Sequence, residues 1–293
     1  MSLVERALDK LRHGQPSNRL AEAPAGLSGT IGALLDTTDP SGSGRTVVID
    51  RGALRAAGYL PEEGLDRRFA DEYRQIKRPL LARAFSSDTS NAHSSARLIM
   101  MASALPGDGK TFSSINLALS LAREKDTSVV LVDADVAKPH ISRIFGVDSE
   151  PGLLDALADP GLGIASLILP TDVKGLYILP AGKVRESATE LLASARMKEV
   201  ASQILAAYQR SVVLFDSPPL VVSSESRALA AAMGQVAVVV RAGRTPRRAL
   251  LEALGYLPES KAAGLVLNQG RHSLLSGYYG QYGSYGEDGS AQP

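Results

Sequence analysis

The glycine-rich segment Ser103-Ala104-Leu105-Pro106-Gly107-Asp108-Gly109-Lys110-Thr111 follows an apolar run and opens a helix-like stretch, and this placement is the strongest indication of the fold. Gly107 and Gly109 let backbone N–H groups turn toward phosphate oxygens, and the start of a helix adds partial positive charge. Lys110 can reach the β- and γ-phosphates of a nucleotide, and the Thr111 hydroxyl can ligate Mg²⁺. The segment therefore predicts a phosphate-binding loop, although an alanine stands where the common pattern has its first glycine. The alternative is a glycine-rich turn with a chance Gly-Lys-Thr.

Apolar runs and helix-like stretches alternate on both sides of this loop. The runs are continuous rather than alternating with polar residues, which is typical of strands buried on both faces. The pattern predicts an α/β fold of the P-loop NTPase-like type, with a mostly parallel, doubly wound sheet and helices on both faces. The predicted strands are Leu98–Ala102, Val129–Val132, Leu176–Leu179, Val212–Phe215, Val236–Val240 and Leu265–Leu267, and the predicted helices include Thr111–Arg123, Thr189–Tyr208, Glu225–Met233 and Pro246–Leu254.

Acidic side chains follow two of the predicted strands. Asp133 and Asp135 end one strand, and Asp216 ends another. Ligands of open α/β sheets bind beyond the carboxyl ends of the strands, so these aspartates are expected at the same edge as the phosphate loop. Mg²⁺ prefers oxygen ligands of this kind, together with water and phosphate. The alternative is that the aspartates cap the helices after the strands.

Composition excludes several other classes of protein. The 293 residues are 44% hydrophobic and 22% charged, with a net charge of +1 and no cysteine. Zinc–thiolate sites, iron–sulfur clusters and cysteine nucleophiles are therefore excluded, and bulk charge does not favour nucleic acid as a partner. No apolar run approaches the roughly 18 residues of a membrane helix, and the first residues lack a signal-peptide core. A cytoplasmic protein is expected.

The two ends of the chain differ from its middle. Residues 2–13 read as an amphipathic helix, and residues 14–45 read as a linker rich in glycine, proline and serine. Glycine recurs every third residue from Gly277 to Gly289, in a tail that is predicted to be flexible. The predicted organisation is an N-terminal helix and linker over 1–65, a P-loop domain over 66–270 and a tail rich in glycine and tyrosine over 271–293.

The motifs together resemble those of the bacterial tyrosine kinases, the autokinases of exopolysaccharide and capsule synthesis, over about residues 66–270 and the tail. The three motifs are Ser103–Thr111, Val129–Pro139 and Phe215–Pro219. The partition and septum-site ATPases share the family's fold and carry a second lysine near the start of the loop, where this chain has Leu105. A partition-type ATPase switch without kinase activity is the rival interpretation.

The resemblance implies a function for each part of the site, with ATP and Mg²⁺ as cofactors. It implies that Lys110, Asp133 and Asp135 are catalytic, with Asp133 as the base, and that Thr111, Asp135 and Asp216 hold the metal. Asn268 would read the adenine edge and Arg244 would lie against the nucleotide. The alternatives are a turn asparagine and a solvated arginine. The full predicted nucleotide-binding set is Pro106, Gly107, Asp108, Gly109, Lys110, Thr111, Phe112, Arg244 and Asn268.

The resemblance also implies a subunit contact and an acceptor site. The family's Glu-x-x-Arg-x-x-Arg contact motif resembles Asp71, Arg74 and Lys77, with Arg78 one residue on. Lysine cannot make the two parallel hydrogen bonds to a carboxylate that arginine makes. The alternative is a solvated helix face whose side chains form ion pairs with one another. The family's terminal tyrosine cluster, the implied site of autophosphorylation, resembles Tyr278, Tyr279, Tyr282 and Tyr285.

The implied partners follow from the same family. They are a second copy of this chain for phosphorylation in trans, a separate membrane protein of polysaccharide chain-length control as activator, and a phosphotyrosine phosphatase. The chain resembles the detached, cytoplasmic type, recruited to the inner face of the plasma membrane by its partner. The stretches Tyr73–Leu81 and Ala188–Met197 resemble the subgroup found beside exosortase systems.

Overall fold

The computed structural model describes residues 45–86, 95–208, 210–258 and 262–270. The predicted helix over 2–13 and the predicted tail over 271–293 lie outside these residues. The strands of the described part are β1 (Leu98–Ser103), β2 (Ser128–Asp133), β3 (Leu169–Pro170), β4 (Leu176–Leu179), β5 (Ser211–Asp216), β6 (Gln235–Arg241) and β7 (Ala262–Asn268). The helices are α1 (Arg51–Ala56), α2 (Asp66–Ala84), α3 (Lys110–Leu121), α4 (His140–Ile144), α5 (Leu153–Ala158), α6 (Ile164–Leu167), α7 (Ala188–Ala193), α8 (Ala195–Ala207), α9 (Ser224–Ala232) and α10 (Arg247–Gly255).

The strands form one twisted sheet in the order β3-β4-β2-β5-β1-β6-β7. All neighbouring pairs are parallel except β3 with β4, which is antiparallel. The predicted mostly parallel, P-loop NTPase-like α/β fold is therefore confirmed. The sequence missed β3, because two residues at an edge are too short to produce an apolar run.

Helices cover both faces of the sheet. Every residue of β1 is buried, with Met100 packed in the core of one face and Ile99 and Met101 in the core of the other. Helices α2 and α3 pack on the second of these faces, and α7, α8 and α9 pack on the first. This two-sided burial is why the strands appear in the sequence as unbroken apolar runs.

Residues upstream of position 66 pack on the same sheet. Val47, Ile49 and Leu54 are buried in the core that contains α2 and α3. Asp50 caps α1, since its side chain accepts a hydrogen bond of 2.9 Å from the N–H of Ala53. The chain segment before α1 forms a single bridge with Thr171 at the edge of the sheet.

The stretch predicted as one helix over 189–208 is two helices, α7 and α8, divided at Ser194. The backbone of Ser194 is extended, with φ −74° and ψ 161°. Its hydroxyl donates a hydrogen bond of 2.7 Å to the carbonyl of Leu191. A serine that bonds to the backbone in this way competes with the helical hydrogen bonds, so one helix ends before Ser194 and a second begins after it.

No helix in the described part of the chain is long and apolar enough to cross a lipid bilayer.

Candidate functional site: a phosphate loop facing three carboxylates

The loop between β1 and α3 has the backbone that phosphate binding requires. Gly107 and Gly109 have φ values of 83° and 94°, in the left-handed region that other residues rarely adopt. A Cβ atom on Gly109 would also lie 1.9 Å from Nδ2 of Asn268. Gly109 directly precedes α3, so the free N–H groups of that helix open onto the loop. The loop is therefore a preformed anion cradle of the kind the sequence predicts.

Two side chains of the predicted nucleotide-binding set hold the loop in shape. Asp108 is buried and accepts hydrogen bonds from the N–H of Leu105 at 3.0 Å and from the hydroxyl of Thr245 at 2.6 Å. Asn268 donates through Nδ2 to the carbonyl of Asp108 at 3.0 Å. These contacts are made within the chain, so the Asp108 carboxylate braces the cradle rather than facing a ligand. An adenine contact by Asn268 stays a prediction.

The arginine that touches the loop is Arg241, which the sequence reasoning missed. Its Nη1 lies 3.3 Å from the carbonyl of Gly107, and its Nε donates to Gln269 at 2.7 Å. Arg244 is exposed three residues further on, and its place against a nucleotide stays a prediction. The position of Arg241 in the sequence could have indicated this contact, because Arg241 ends β6, the neighbour of β1, at the sheet edge where ligands bind.

Asp216 ties the phosphate loop to the sheet. It is fully buried at the end of β5, and its two carboxylate oxygens accept hydrogen bonds of 2.8 Å from the hydroxyls of Thr111 and Ser114. Ser114 was also missed, although it lies one helical turn after Thr111 and therefore on the same side of α3. Thr111 and Asp216, two of the predicted metal ligands, are thus in direct contact.

Asp133 lies beside Asp216, because the two residues are paired in the register of β2 and β5. Its Oδ2 accepts hydrogen bonds of 2.7 Å from both the N–H and the hydroxyl of Ser142. Its Oδ1 is buried and has no hydrogen-bond partner among the described residues. Burial raises the pKa of Asp133 to about 7; the bonds from Ser142 oppose this rise, and the nearby charges of Asp216 and Asp135 add to it.

Asp135 and Lys110 complete the cluster. Both side chains are buried, and one oxygen of Asp135 accepts a hydrogen bond of 3.2 Å from the N–H of Lys138. Burial raises the pKa of Asp135, and the positive charge of Lys110 opposes that rise. The structure therefore brings Lys110, Thr111, Asp133, Asp135 and Asp216 together at one edge of the sheet.

The donor set fits Mg²⁺ shared with a nucleotide better than a metal held by protein alone. The described residues contain no group of three or more His, Cys, Asp or Glu side chains arranged to hold a metal by themselves. They do supply a hydroxyl on Thr111 and the carboxylates of Asp135 and Asp216. Mg²⁺ keeps several waters and takes phosphate oxygens beside one or two carboxylates, so an incomplete oxygen shell suits it.

The predicted subunit-contact residues on α2 do not all face outward. Arg74 and Asp71 are exposed and pair with each other on the same helix, and Arg78 is exposed. Lys77, in contrast, is buried, and its ammonium donates to the carbonyl of Ser120 at 2.7 Å and pairs with Glu124 at 2.6 Å. Lys77 therefore joins α2 to the end of α3 rather than lying on the exposed side of α2, and its part in a subunit contact stays a prediction.

Replacing Lys77 with alanine should lower the free energy of unfolding by about 1–3 kcal/mol, since it removes a buried charged hydrogen bond at the C-terminal end of α3. Denaturant titration of the purified protein measures this change. The exposed neighbour Gln75→Ala is the matched control and should change stability by less than about 0.5 kcal/mol. Equal stability of the two variants would contradict the structural role of Lys77.

Comparisons with known proteins agree with this class of fold and site. The family model described as "AAA domain" matches residues 96–245. Tyrosine-protein kinase YwqD of Bacillus subtilis is 31% identical over 186 residues, covering 62% of this chain and 77% of the relative. The putative tyrosine-protein kinase EpsB of Ralstonia nicotianae is 33% identical over 64% of this chain and 25% of the relative. The succinoglycan biosynthesis transport protein ExoP of Rhizobium meliloti is 31% identical over 72% of this chain and 26% of the relative.

Solved structures of kinase domains share this fold. The crystal structure of the VpsO kinase domain is 32% identical, with a TM-score of 0.57, covering 70% of this chain and 98% of that one. The kinase domain of the Escherichia coli tyrosine kinase ETK, at 23% identity, shares the fold with a TM-score of 0.59 over 80% of this chain. The fold and site are thus those of a P-loop NTPase-like kinase domain. The chain belongs to the bacterial tyrosine-protein kinase family, as the motifs predict. It spans about a quarter of the length of relatives such as EpsB and ExoP.

Proposed function

We propose that this chain is an ATP-dependent protein-tyrosine kinase. The observation that carries the proposal is the meeting of Lys110 and Thr111 with three buried carboxylates at one sheet edge. Phosphoryl transfer needs alignment and neutralisation of charge more than it needs covalent chemistry from the protein. A preformed phosphate cradle beside acidic metal ligands supplies both. The names of the relatives support tyrosine as the acceptor.

The nucleotide is held by the cradle and by Lys110. The N–H groups at the start of α3 bind the phosphates, and the Lys110 ammonium neutralises charge on the β- and γ-phosphates. Thr111, Asp135 and Asp216 would hold Mg²⁺, which supplies neutralisation of the phosphate charge when it is bound. Thr111 and Asp216 are already in contact, so little rearrangement is needed to form this part of the site.

The transferred group moves from ATP to a tyrosine hydroxyl. The phenolic oxygen attacks the γ-phosphorus, the bond to the bridging oxygen of the β-phosphate breaks, and ADP leaves with that electron pair. The phenolic proton passes to Asp133, whose Oδ1 has no hydrogen-bond partner among the described residues. A tyrosine with an ordinary pKa of about 10 needs such a base or strong orientation.

The proposed acceptors are Tyr278, Tyr279, Tyr282 and Tyr285 of a neighbouring copy. These tyrosines are attached to a neighbouring copy of the chain, and the attachment raises the local concentration of the acceptor into roughly the millimolar range. Slow chemistry on a poor nucleophile becomes workable at that concentration. Each added phosphate brings about −1.5 to −2 charges.

The exposed residues Asp71, Arg74 and Arg78 on α2 remain the proposed subunit contact.

The proposed cellular role is control of exopolysaccharide synthesis or export. The name of the relative ExoP, a succinoglycan biosynthesis transport protein, supports this role. The proposed partners are a separate membrane protein of polysaccharide chain-length control, as activator, and a phosphotyrosine phosphatase. The proposed location is the cytoplasm, with recruitment by that activator to the inner face of the plasma membrane.

Changing all four tail tyrosines to phenylalanine should remove most phosphotyrosine while nucleotide binding stays intact, because the change deletes only the acceptor hydroxyls. Phosphotyrosine is measured by an anti-phosphotyrosine blot and mass spectrometry after incubation with Mg-ATP. Nucleotide binding is measured by titration with a fluorescent ADP. Tyr256→Phe, in an exposed tyrosine of the folded body, is the matched control and should label like the wild type. Undiminished labelling of the four-residue variant would reject the tail as acceptor. Hydrolysis of ATP without any phosphotyrosine in the wild type would favour the partition-type switch.

A further inference from the structure

Among the described residues, Ser142 donates two hydrogen bonds to the Asp133 carboxylate. It lies on α4, nine positions after Asp133, and its side chain is 1% exposed. Its N–H and its hydroxyl both lie 2.7 Å from the same oxygen, Oδ2. Two donors on one oxygen fix the rotation of the carboxyl group and leave the other oxygen, Oδ1, without a hydrogen-bond partner in the part of the chain that the structure describes.

The direction of the Ser142 hydroxyl is itself determined by a third contact. The N–H of Ala181 donates a hydrogen bond of 3.1 Å to the oxygen of this hydroxyl. A hydroxyl has one proton to donate, and an oxygen that accepts from Ala181 directs that proton toward its other neighbour, Asp133. Ser142 therefore stands between the carboxylate and the chain segment that follows β4.

That segment is anchored by a buried carboxylate. One oxygen of Asp155 accepts hydrogen bonds from the N–H groups of Gly152 at 3.0 Å and Lys183 at 3.1 Å, and the other pairs with Arg185 at 3.1 Å. Gly152 lies so close to this segment that a Cβ atom on it would be 2.0 Å from the carbonyl of Pro180. The segment that orients the Ser142 hydroxyl is therefore held at both of its ends.

We propose that Ser142 is a positioning residue for phosphoryl transfer, which holds Asp133 so that Oδ1 faces the acceptor hydroxyl. This inference rests on the proposed kinase function. Ser142 itself does not touch the substrate. Without its hydroxyl, the carboxyl group keeps only the bond from the Ser142 N–H and can rotate, so a smaller share of bound acceptors meets Oδ1 in a reactive geometry.

The experiment compares Ser142→Ala with the wild type in steady-state phosphorylation of the tail by Mg-ATP. We expect kcat to fall by about 10-fold or more, as loss of an orienting hydrogen bond to a reacting group does, while the KM for ATP and the affinity for fluorescent ADP change by less than about twofold. Ser142→Thr retains the hydroxyl and should recover most of the lost kcat. Ser211→Ala, a buried serine at the opposite end of β5, is the matched control and should retain the wild-type kcat.

Two results would overturn the inference. One is a Ser142→Ala variant with the wild-type kcat. The other is a variant in which nucleotide affinity and the thermal unfolding midpoint fall in step with kcat, since that pattern reports a general structural role. A wild-type protein that forms no phosphotyrosine would instead reject the proposed function, so the two failures are distinguishable.

Discussion

Replacing Lys110 with methionine should lower tail phosphorylation by about 100- to 1,000-fold, the loss typical of removing one preorganised donor to transition-state charge. Methionine keeps the length of the side chain and removes its charge. In the proposed site this charge has two effects: it would neutralise phosphate, and it opposes the rise in the pKa of Asp135 that burial and the charge of Asp216 cause. Nucleotide affinity should fall as well. Phosphotyrosine blotting and titration with fluorescent ADP measure the two effects.

Lys198→Met is the control for this substitution, since Lys198 is an exposed lysine on α8, away from the loop. It should phosphorylate its tail at the wild-type rate. A Lys110→Met protein that is folded by its thermal unfolding curve and still labels at the wild-type rate would contradict the assignment of the phosphate loop.

The second large effect is expected at Asp133. Asp133→Asn keeps the size of the side chain and keeps an oxygen that can accept both bonds from Ser142, but it removes the proton acceptor. Loss of a general base typically slows transfer by about 100- to 10,000-fold. The affinity for ADP should stay within about threefold of the wild type, because Lys110 and the phosphate cradle are unchanged. Single-turnover transfer with bound ATP measures the chemical step directly.

Asp172→Asn is the matched control for Asp133→Asn, because Asp172 is an exposed aspartate whose side chain accepts one backbone hydrogen bond, from Ile49. Its transfer rate should equal that of the wild type. A normal transfer rate in Asp133→Asn would remove Asp133 from the mechanism and leave substrate orientation alone to activate the tyrosine.

Much of this site could be predicted from the sequence, because its parts lie within short motifs. The phosphate loop and the aspartates are adjacent to strands that are buried on both faces, and such strands appear as apolar runs. The run Val236–Val240, for example, lies inside the observed strand Gln235–Arg241. Parallel strands place their carboxyl ends at one edge, so the meeting of Asp133 and Asp216 followed from fold class alone.

The residues that brace the site could not be predicted in this way. Ser142, Ser114 and Arg241 act through hydrogen bonds to residues that are distant along the chain or in other elements, and serine is common in positions with no such role. Lys77 shows the same limit on α2. Its spacing of four from the buried Tyr73 places it on the inner face of the helix. A charged residue is nevertheless expected to be exposed until its partners are known, and these are Ser120 at the end of α3 and Glu124 just after it.

The proposed mechanism requires that a nucleotide and its metal ion lie between the phosphate loop and the carboxylates at the end of the sheet. A crystal structure of the full chain with ADP and magnesium tests it most directly. We predict the phosphates within the loop of residues 106–111 and the metal beside Thr111 and Asp216. A nucleotide bound elsewhere, or a metal remote from these two side chains, would rule out the proposed kinase site.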